Sequence, residues 1–368
     1  MTKYIIGAAL GFGLVASVSA TRPRAEADPS STWNRKAAAA YLDQRAIWWT
    51  TWPNAQRDHG TFCVSCHTAL PYALARPSLS KPLGESAPSA GEAALLANIT
   101  KRVTMWRDVE PFYPDQLRGI PKSSESRGSE SVMNALILAA RDAQTGKLSE
   151  ESRTAFRNMF ALQMRTQELA GAWAWLNFHY EPWESPSSPY FGASLAALAI
   201  GTAPENYASA PEVADNVKLL REYFGRETDK QSLFNRVMGL WASTKVENLL
   251  TRQQQQAIIE AAFAAQQPDG GWSTASLGRW QRVDNTPLDT GTDGYATGLV
   301  TLALRQAGVP ASDPHVAKGL AWLRANQNRT TGQWTAVSLN KNRDPNSDAG
   351  KFMSDAATAY AVLALTQK

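Results

Sequence analysis

The sequence has little of what would place it in several common protein classes. Only 19% of its 368 residues are charged, against about 25% in ordinary soluble domains, and 37 Lys and Arg nearly balance 33 Asp and Glu. No cluster of basic residues appears, so the composition excludes a disordered chain and predicts no nucleic-acid partner. Histidine occurs four times in the chain, and cysteine is scarcer still with two residues.

Long hydrophobic runs are absent after the first twenty residues. Before that point, Lys3 precedes an apolar run that ends in the small residues Val18-Ser19-Ala20. The run is shorter than the roughly 20 residues of a transmembrane helix, and the arrangement is that of a secretory signal peptide. An uncleaved membrane anchor is the alternative. We predict a signal peptide at residues 1–20, a linker at 21–33, and export to a periplasm.

Both cysteines lie in one pentapeptide, Cys63-Val64-Ser65-Cys66-His67. C-x-x-C-H is the attachment sequence for c-type haem. Two thiols one helical turn apart can bond the two vinyl-derived carbons of the macrocycle, and the adjacent imidazole then lies beneath the iron. A structural zinc site would need four ligands, and a thioredoxin-like motif would need a βαβ setting. We therefore predict one covalent haem c on Cys63 and Cys66, with His67 as the proximal iron ligand.

The rest of the chain shows the periodicity of helices, with apolar residues at i, i+3, i+4 and i+7 between Gly/Pro/Ser loops. Six apolar helices are predicted to begin near residues 67, 129, 189, 231, 293 and 355, in steps of 62, 60, 42, 62 and 62. An amphipathic helix precedes each one, near residues 34–50, 91–109, 149–167, 212–226, 250–267 and 313–328. So regular a period indicates a repeat architecture with apolar helices inside and amphipathic ones outside.

Three of the amphipathic helices end in a shared pattern: Gln167-x3-Gly171-x-Trp173, Gln267-x2-Gly270-x-Trp272 and Gln327-x4-Gly332-x-Trp334. In these motifs the sequence resembles the squalene–hopene cyclase and protein prenyltransferase superfamily, with its QW repeats, over the chain from about Asn34. The resemblance implies an all-α fold, a single (α/α)6 toroid over residues 34–368. It also implies that the glutamines tie each outer helix to the next turn and that the tryptophans pack as structural staples.

The active-site motifs of that superfamily are not reproduced. Triterpene cyclases protonate a double bond with D-x-D-D, whereas Asp289 and Asp293 stand four residues apart here. The prenyltransferase zinc site would need a cysteine beyond the two in C-x-x-C-H. A haem-bearing triterpene cyclase is therefore the least favoured hypothesis.

The C-x-x-C-H motif stands where the first inner helix begins, so the resemblance places the haem at the mouth of the toroid's central cavity. Long loops at 168–189, 273–292 and 335–354 converge there. The candidates for the distal iron ligand are Met353 and His179, and an open or water-occupied position is the third alternative.

Carboxyl groups on the same rim suit proton transfer. We name Glu184, Asp289 and Asp293 as catalytic candidates, and Glu181 and Asp284 lie in the same loops. Helix capping is the alternative role for Asp293, and solvation is the alternative for the others.

Together these features predict an exported monohaem c-type redox protein. It would oxidise or peroxidise an apolar, isoprenoid-like molecule, or pass electrons to a redox partner protein, with peripheral membrane contact. The alternative is a non-catalytic electron carrier whose toroid is a docking scaffold.

Overall fold

The computed structural model describes residues 32–119 and 121–367, so the predicted signal peptide and nearly all of the predicted linker lie outside the described residues. Fourteen α-helices and one two-stranded antiparallel sheet, β1 (Gln56–Arg57) with β2 (Thr61–Phe62), are found in these ranges. The helices are α1 Arg35–Thr51, α2 Ala69–Ala75, α3 Pro77–Leu83, α4 Ala90–Thr104, α5 Asp115–Arg118, α6 Lys122–Ala143, α7 Glu150–Ala161, α8 Ser188–Thr202, α9 Ala214–Glu227, α10 Leu233–Ser243, α11 Arg252–Ala264, α12 Gly294–Gln306, α13 Pro314–Ala325 and α14 Phe352–Thr366. None of the described helices is long and apolar enough to cross a bilayer.

Six helices form a closed inner ring. Helices α2, α6, α8, α10, α12 and α14 each contact the next in this order, and α14 returns to α2. Helices α1, α4, α7, α9, α11 and α13 pack outside them. The predicted (α/α)6 toroid is therefore confirmed.

The burial of each helix explains its layer. In the inner helix α12 every residue from Gly294 to Leu304 is buried, because neighbours surround it on all sides. The outer helix α7 buries only Ser152, Ala155, Phe156 and Met159, which have the i, i+3, i+4, i+7 spacing of a single face. Capping side chains begin five of the six outer helices: Asn34, Ser89, Ser149, Thr251 and Asp313.

Two inner helices differ from the prediction. Helix α6 begins at Lys122, seven residues before the predicted start, because its first turns are polar and carry no apolar periodicity. The first inner helix is divided, with α2 ending at Ala75 and α3 beginning at Pro77. A proline cannot donate a backbone hydrogen bond, so it starts a new helix more easily than it continues one.

The three tryptophans of the repeated motif are structural staples, as predicted. Trp173, Trp272 and Trp334 are fully buried. Each indole N–H donates to a carbonyl oxygen in the last turns of the preceding outer helix, on Met159, Ala262 and Leu323, at 2.7 Å. A buried indole N–H needs such a partner, so these side chains are committed to the scaffold.

The glutamine prediction is correct for one repeat and wrong for two. The side chain of Gln327 donates to the carbonyl oxygens of Gly332 and Asn34. The equivalent bonds of the other repeats come from Gln163 and Gln266, which reach Gly171 and Gly270 and the first turn of the next outer helix. All three bridging glutamines lie two residues after the last residue of their helix, whereas the predicted Gln167 and Gln267 lie six and three residues after it.

Candidate functional site

A cavity of about 230 Å³ opens at the rim where α2, α8 and α14 begin. Five of the residues predicted as site residues line it: Cys63, Cys66, His67, Glu184 and Met353. No specific pattern in the sequence pointed to the other residues in its wall, among them Met133, Trp183, Asn340, Arg343 and Phe352. Asn340 and Arg343 belong to the long loop at 335–354, whose length was the available indication.

Hydrogen bonds from Trp49 and Asn98 fix the backbone of the segment that carries the two cysteines. The indole of Trp49 donates to the carbonyl oxygen of Cys63 at 2.6 Å, and Asn98 exchanges two hydrogen bonds with the backbone of Phe62. Both thiols are free and buried, and Cys66 Sγ lies 3.7 Å from Met133 Sδ. Burial raises the pKa of Cys63 to about 12 and that of Cys66 well above its ordinary value. Both cysteines are therefore protonated thiols at neutral pH.

His67 presents a neutral imidazole to the cavity. Its ring stacks on Phe352 with centroids 3.9 Å apart and meets the edge of Trp49 at 5.1 Å. Burial, together with the charges of Arg45 and Arg343, lowers the pKa of His67 to about 3. The ring nitrogen Nδ1 lies 2.8 Å from Thr68 Oγ1.

Glu184 supplies a carboxyl group that stays protonated at unusually high pH. Its backbone pairs with Tyr180, with N–H to O distances of 2.8 and 2.9 Å, which holds the loop before α8 in place. Burial raises the pKa of the Glu184 carboxyl to about 7, against the opposing charge of Lys122. No described residue donates a hydrogen bond to this carboxyl group, so among the described residues only the charge of Lys122 favours the ionised form.

A second carboxyl group, that of Glu181, lies in the same wall. Its Oε2 is buried without a hydrogen-bond partner among the described residues, and burial raises its pKa. The backbone of Glu181 exchanges hydrogen bonds of 2.7 and 2.8 Å with the side chain of Asn340. The two long loops that carry Glu181 and Asn340 are thereby joined over the cavity.

The remaining predicted site residues lie elsewhere. His179 is exposed and does not line the cavity. Asp289 is exposed in a separate pocket beside Arg282. Asp293 caps α12 and accepts hydrogen bonds from the backbone N–H groups of Thr274, Tyr295 and Ala296 and from the Thr274 hydroxyl. These contacts agree with the capping alternative for Asp293.

A larger, open cleft of about 630 Å³ adjoins the cavity. Trp49, Trp52 and Tyr113 line both spaces, so they form the partition between them. Polar side chains line the outer part of the cleft, including those of Asn54, Gln56, Arg57, Asp58 and Glu110.

No family model matches the sequence, and no curated protein matches it. Solved structures match the fold. A UGL variant with the oligosaccharide dGlcA-Glc-Rha-Glc is 12% identical with a TM-score of 0.50, over 90% of this chain and 95% of that one. A glycosyl hydrolase family 88 protein from Bacteroides vulgatus is 14% identical with a TM-score of 0.35, over 92% of each chain. A polysaccharide lyase is 13% identical with a TM-score of 0.35, over 91% and 89%.

These findings correct the predicted function. The solved protein with a TM-score of 0.50 is described with an oligosaccharide and not with a haem. Among the described residues, no group of three or more His, Cys, Asp or Glu could hold a metal ion. The prediction of a haem-dependent oxidoreductase or electron carrier is therefore wrong, and the apolar substrate and redox partner have no support. The resemblance to cyclases extends to the toroid, a fold that hosts unrelated activities.

Proposed function

We propose that this protein is a carbohydrate-active enzyme that hydrolyses a glycosidic bond of an oligosaccharide bound at the rim cavity. The observation that carries the proposal is Glu184, a carboxyl group in the cavity wall whose pKa is raised to about 7. Such a group holds a proton at neutral pH and can give it to a leaving oxygen. The substrate class follows by analogy from the toroid neighbour described with an oligosaccharide.

Two carboxyl groups complete the reaction. Glu184 gives its proton to the glycosidic oxygen as the bond from that oxygen to the anomeric carbon breaks. A water molecule bonds to the anomeric carbon and loses a proton to Glu181, which acts from its ionised form. The products are two shorter sugars, and proton exchange with solvent restores both carboxyl groups.

The cavity wall suits a sugar. Trp52, Trp183 and Phe352 offer apolar ring surface for the C–H faces of a pyranose, while Asn340 and Arg343 offer donors for its oxygens. The guanidinium group of Arg343 also matches a carboxylate, which favours an acidic sugar. The adjoining cleft beyond Trp49 and Trp52 gives room for further sugar units.

The test compares Glu184→Gln with Glu222→Gln, a control at an exposed position of α9. Release of reducing ends is measured on neutral oligosaccharides and on oligosaccharides that end in a uronic acid. Loss of general-acid catalysis lowers kcat by about 10²–10⁴-fold in Glu184→Gln, with the control unchanged. Full activity in Glu184→Gln, or a wild-type protein that neither binds nor cleaves any of these sugars, would overturn the proposal.

We propose, as an alternative occupant of this cavity, that Cys63 and Cys66 would hold a covalently attached haem c, with His67 as an iron ligand and Met353 as a candidate for a second iron ligand. The fit rests on two free thiols three residues apart in sequence and a neutral imidazole in one cavity wall. Each S–H group adds across a vinyl C=C bond, so a C–S bond forms, the hydrogen goes to the other vinyl carbon, and nothing leaves. A bound haem supplies an iron centre at the cavity. The proposal assigns no electron-transfer activity to the protein.

Haem attachment is tested by mass spectrometry of the chain produced together with a c-type haem attachment system. The wild-type chain gains the mass of one haem and keeps its colour after acid–acetone extraction, whereas Cys63→Ala/Cys66→Ala does neither. Met353→Leu, in the same wall, keeps the covalent group. A wild-type chain without added mass would overturn the proposal. An N-terminus at Thr21 in the same spectrum is expected from export and signal cleavage.

A further inference from the structure

We propose that Thr68 and Asp355 are positioning residues that fix His67 as its Nδ1–H tautomer and so leave Nε2 as a preformed nitrogen ligand at the cavity. The identity of the metal that Nε2 would bind rests on the proposed haem attachment. The tautomer itself does not, because it follows from hydrogen bonds within the chain.

The assignment follows from the single hydrogen of a hydroxyl group. Thr68 Oγ1 lies 2.7 Å from Asp355 Oδ2 and 2.8 Å from His67 Nδ1. Asp355 is paired with the Arg45 guanidinium group at 2.8 Å, and a carboxylate so paired can only accept, so the threonine hydroxyl donates its hydrogen to Asp355. The same hydroxyl oxygen then accepts from His67, which requires the hydrogen on Nδ1. The lone pair of the neutral ring is therefore on Nε2.

Asp355 is held in place by further donors. Its Oδ1 accepts from the Tyr41 hydroxyl and from Arg45 Nε, both at 2.8 Å. Arg45 also donates to Asp348 at 2.8 Å. Burial raises the pKa of Asp355, whereas the charge of the buried Arg45 guanidinium group and the donated hydrogen bonds lower it and so support the ionised form.

The surroundings also limit rotation of the His67 ring. Phe352 stacks on one face at 3.9 Å, and Trp49 meets the ring edge-on at 5.1 Å. Because Phe352 and Asp355 both lie in the first turn of α14, one helix end sets both the plane and the tautomer of the imidazole. A metal-binding histidine is commonly oriented by a hydrogen bond to its second nitrogen, and Thr68 with Asp355 supplies that bond here.

The test is two-dimensional ¹H–¹⁵N NMR of the histidine side chains in the full-length chain before any haem is attached. His315 is an internal reference, because its Nδ1 lies 2.7 Å from Gln266 Oε1, and this amide oxygen can only accept. We expect His67 to show the Nδ1–H pattern in the wild type. Thr68→Val should shift it towards Nε2–H, Thr68→Ser should retain the wild-type pattern, and His315 should not change in either variant.

An unchanged His67 tautomer in Thr68→Val, or an Nε2–H pattern in the wild type, would overturn the inference. Asp355→Asn gives a second test that retains the shape of the side chain, and it should weaken the Nδ1–H preference. In the haem-loaded chain, Thr68→Val should raise the reduction potential, since the imidazole becomes a poorer electron donor. If the wild type attaches no haem, the cofactor proposal fails while the tautomer result stands.

Discussion

Two carboxyl groups near the rim have raised pKa values for the same reason but have different roles. Burial raises the pKa of Asp293 to about 6 and that of Glu184 to about 7. Four hydrogen bonds are donated to the Asp293 carboxylate, which is the N-cap of α12. Glu184 has no donor among the described residues and faces the cavity. A group of this second kind is free to exchange its proton with a ligand.

The stability of the protein should report the burial of Glu184. Its folded pKa of about 7 exceeds the ordinary value of 4.5, so the folded state keeps a proton that the unfolded chain releases. Stability is therefore lost as pH rises from 4.5 to 7, by at most about 3 kcal/mol, and the deficit stays constant above that pH. Glu184→Gln removes this loss and should be more stable than the wild type at pH 8 but not at pH 4.

Urea unfolding at pH 4, 6 and 8 measures the difference, and Glu222→Gln serves as the exposed control. A stability difference between Glu184→Gln and wild type that does not vary with pH would contradict the assigned pKa.

Asp289 and Asp293, which both precede α12, should differ in how much their mutation to alanine lowers the free energy of unfolding. Asp293→Ala removes the cap and should lower the free energy of unfolding by about 1–2 kcal/mol. Asp289→Ala, at an exposed position, should change it by less than about 0.5 kcal/mol. Thermal unfolding of both variants is the measurement. Equal stability of the two would show that the cap contributes nothing.

At the scale of elements, the repeated motif joins successive outer helices rather than shaping the cavity. In three repeats a glutamine bridges a glycine carbonyl and the start of the next outer helix, and a tryptophan closes the preceding helix end. The glycines Gly171, Gly270 and Gly332 have φ of 97°, 93° and 86°. These positions need glycine both for the left-handed backbone and for the close approach of the next helix.

A comparison of Gly332 with Gly308 distinguishes the need for a left-handed backbone from the need for close helix approach. Both have positive φ, at 86° and 88°, but a Cβ at Gly332 would collide with the carbonyl oxygen of Ala37, whereas one at Gly308 would meet nothing within 4 Å. Gly308→Ala should cost about 1 kcal/mol from the backbone alone. Gly332→Ala should cost at least about 2 kcal/mol more, as measured by urea unfolding. Similar costs for both would mean that the helix contact adjusts freely.

At the scale of the whole molecule, the ring is closed by contacts between the two ends of the chain. The side chain of Gln327 accepts a hydrogen bond from the backbone N–H of Asn34 and donates one to the Asn34 carbonyl oxygen. Trp33 packs on Trp334 with ring centroids 5.8 Å apart. Deeper in, the buried pair of Arg45 and Asp355 joins α1 to α14. The ring-closing contacts thus include the ion pair that also positions His67.

Breaking this buried pair on one side should be costly. Arg45→Met leaves Asp355 buried without its cation and should lower the free energy of unfolding by about 3–5 kcal/mol. Arg45→Met/Asp355→Asn should be less destabilised than the sum of the two single variants, because neither charge is then left unpaired. Additive effects in this double-mutant cycle, followed by urea unfolding, would mean that the pair is not coupled.

Much of the scaffold could be predicted from the sequence because it depends on local periodicity. The outer helices α7, α11 and α13 lie inside their predicted ranges, since apolar spacing and capping residues act within a few positions of the chain. The polar start of α6 was missed because its placement depends on partners that are distant in sequence, such as Asn177, whose backbone N–H donates to the Glu125 carboxylate. The bridging glutamines were also assigned to the wrong positions. Which of several nearby glutamines makes the bridge depends on where the helix ends, and the sequence motif does not determine that position.

The sequence by itself determined the repeat and the grouping of Cys63, Cys66 and His67, which depend on spacing along the chain, and the resemblance of its repeat motifs implied the toroid and the buried tryptophans. Only the tertiary structure decided which rim side chains meet. It placed Glu184 and Met353 in the cavity, left His179 and Asp289 outside it, and assigned Asp293 to a helix cap. It also joined His67 to Asp355, 288 positions later in the sequence, through the closure of the ring. Burial and the donors around a carboxyl group set its chemistry, and both are properties of the folded chain.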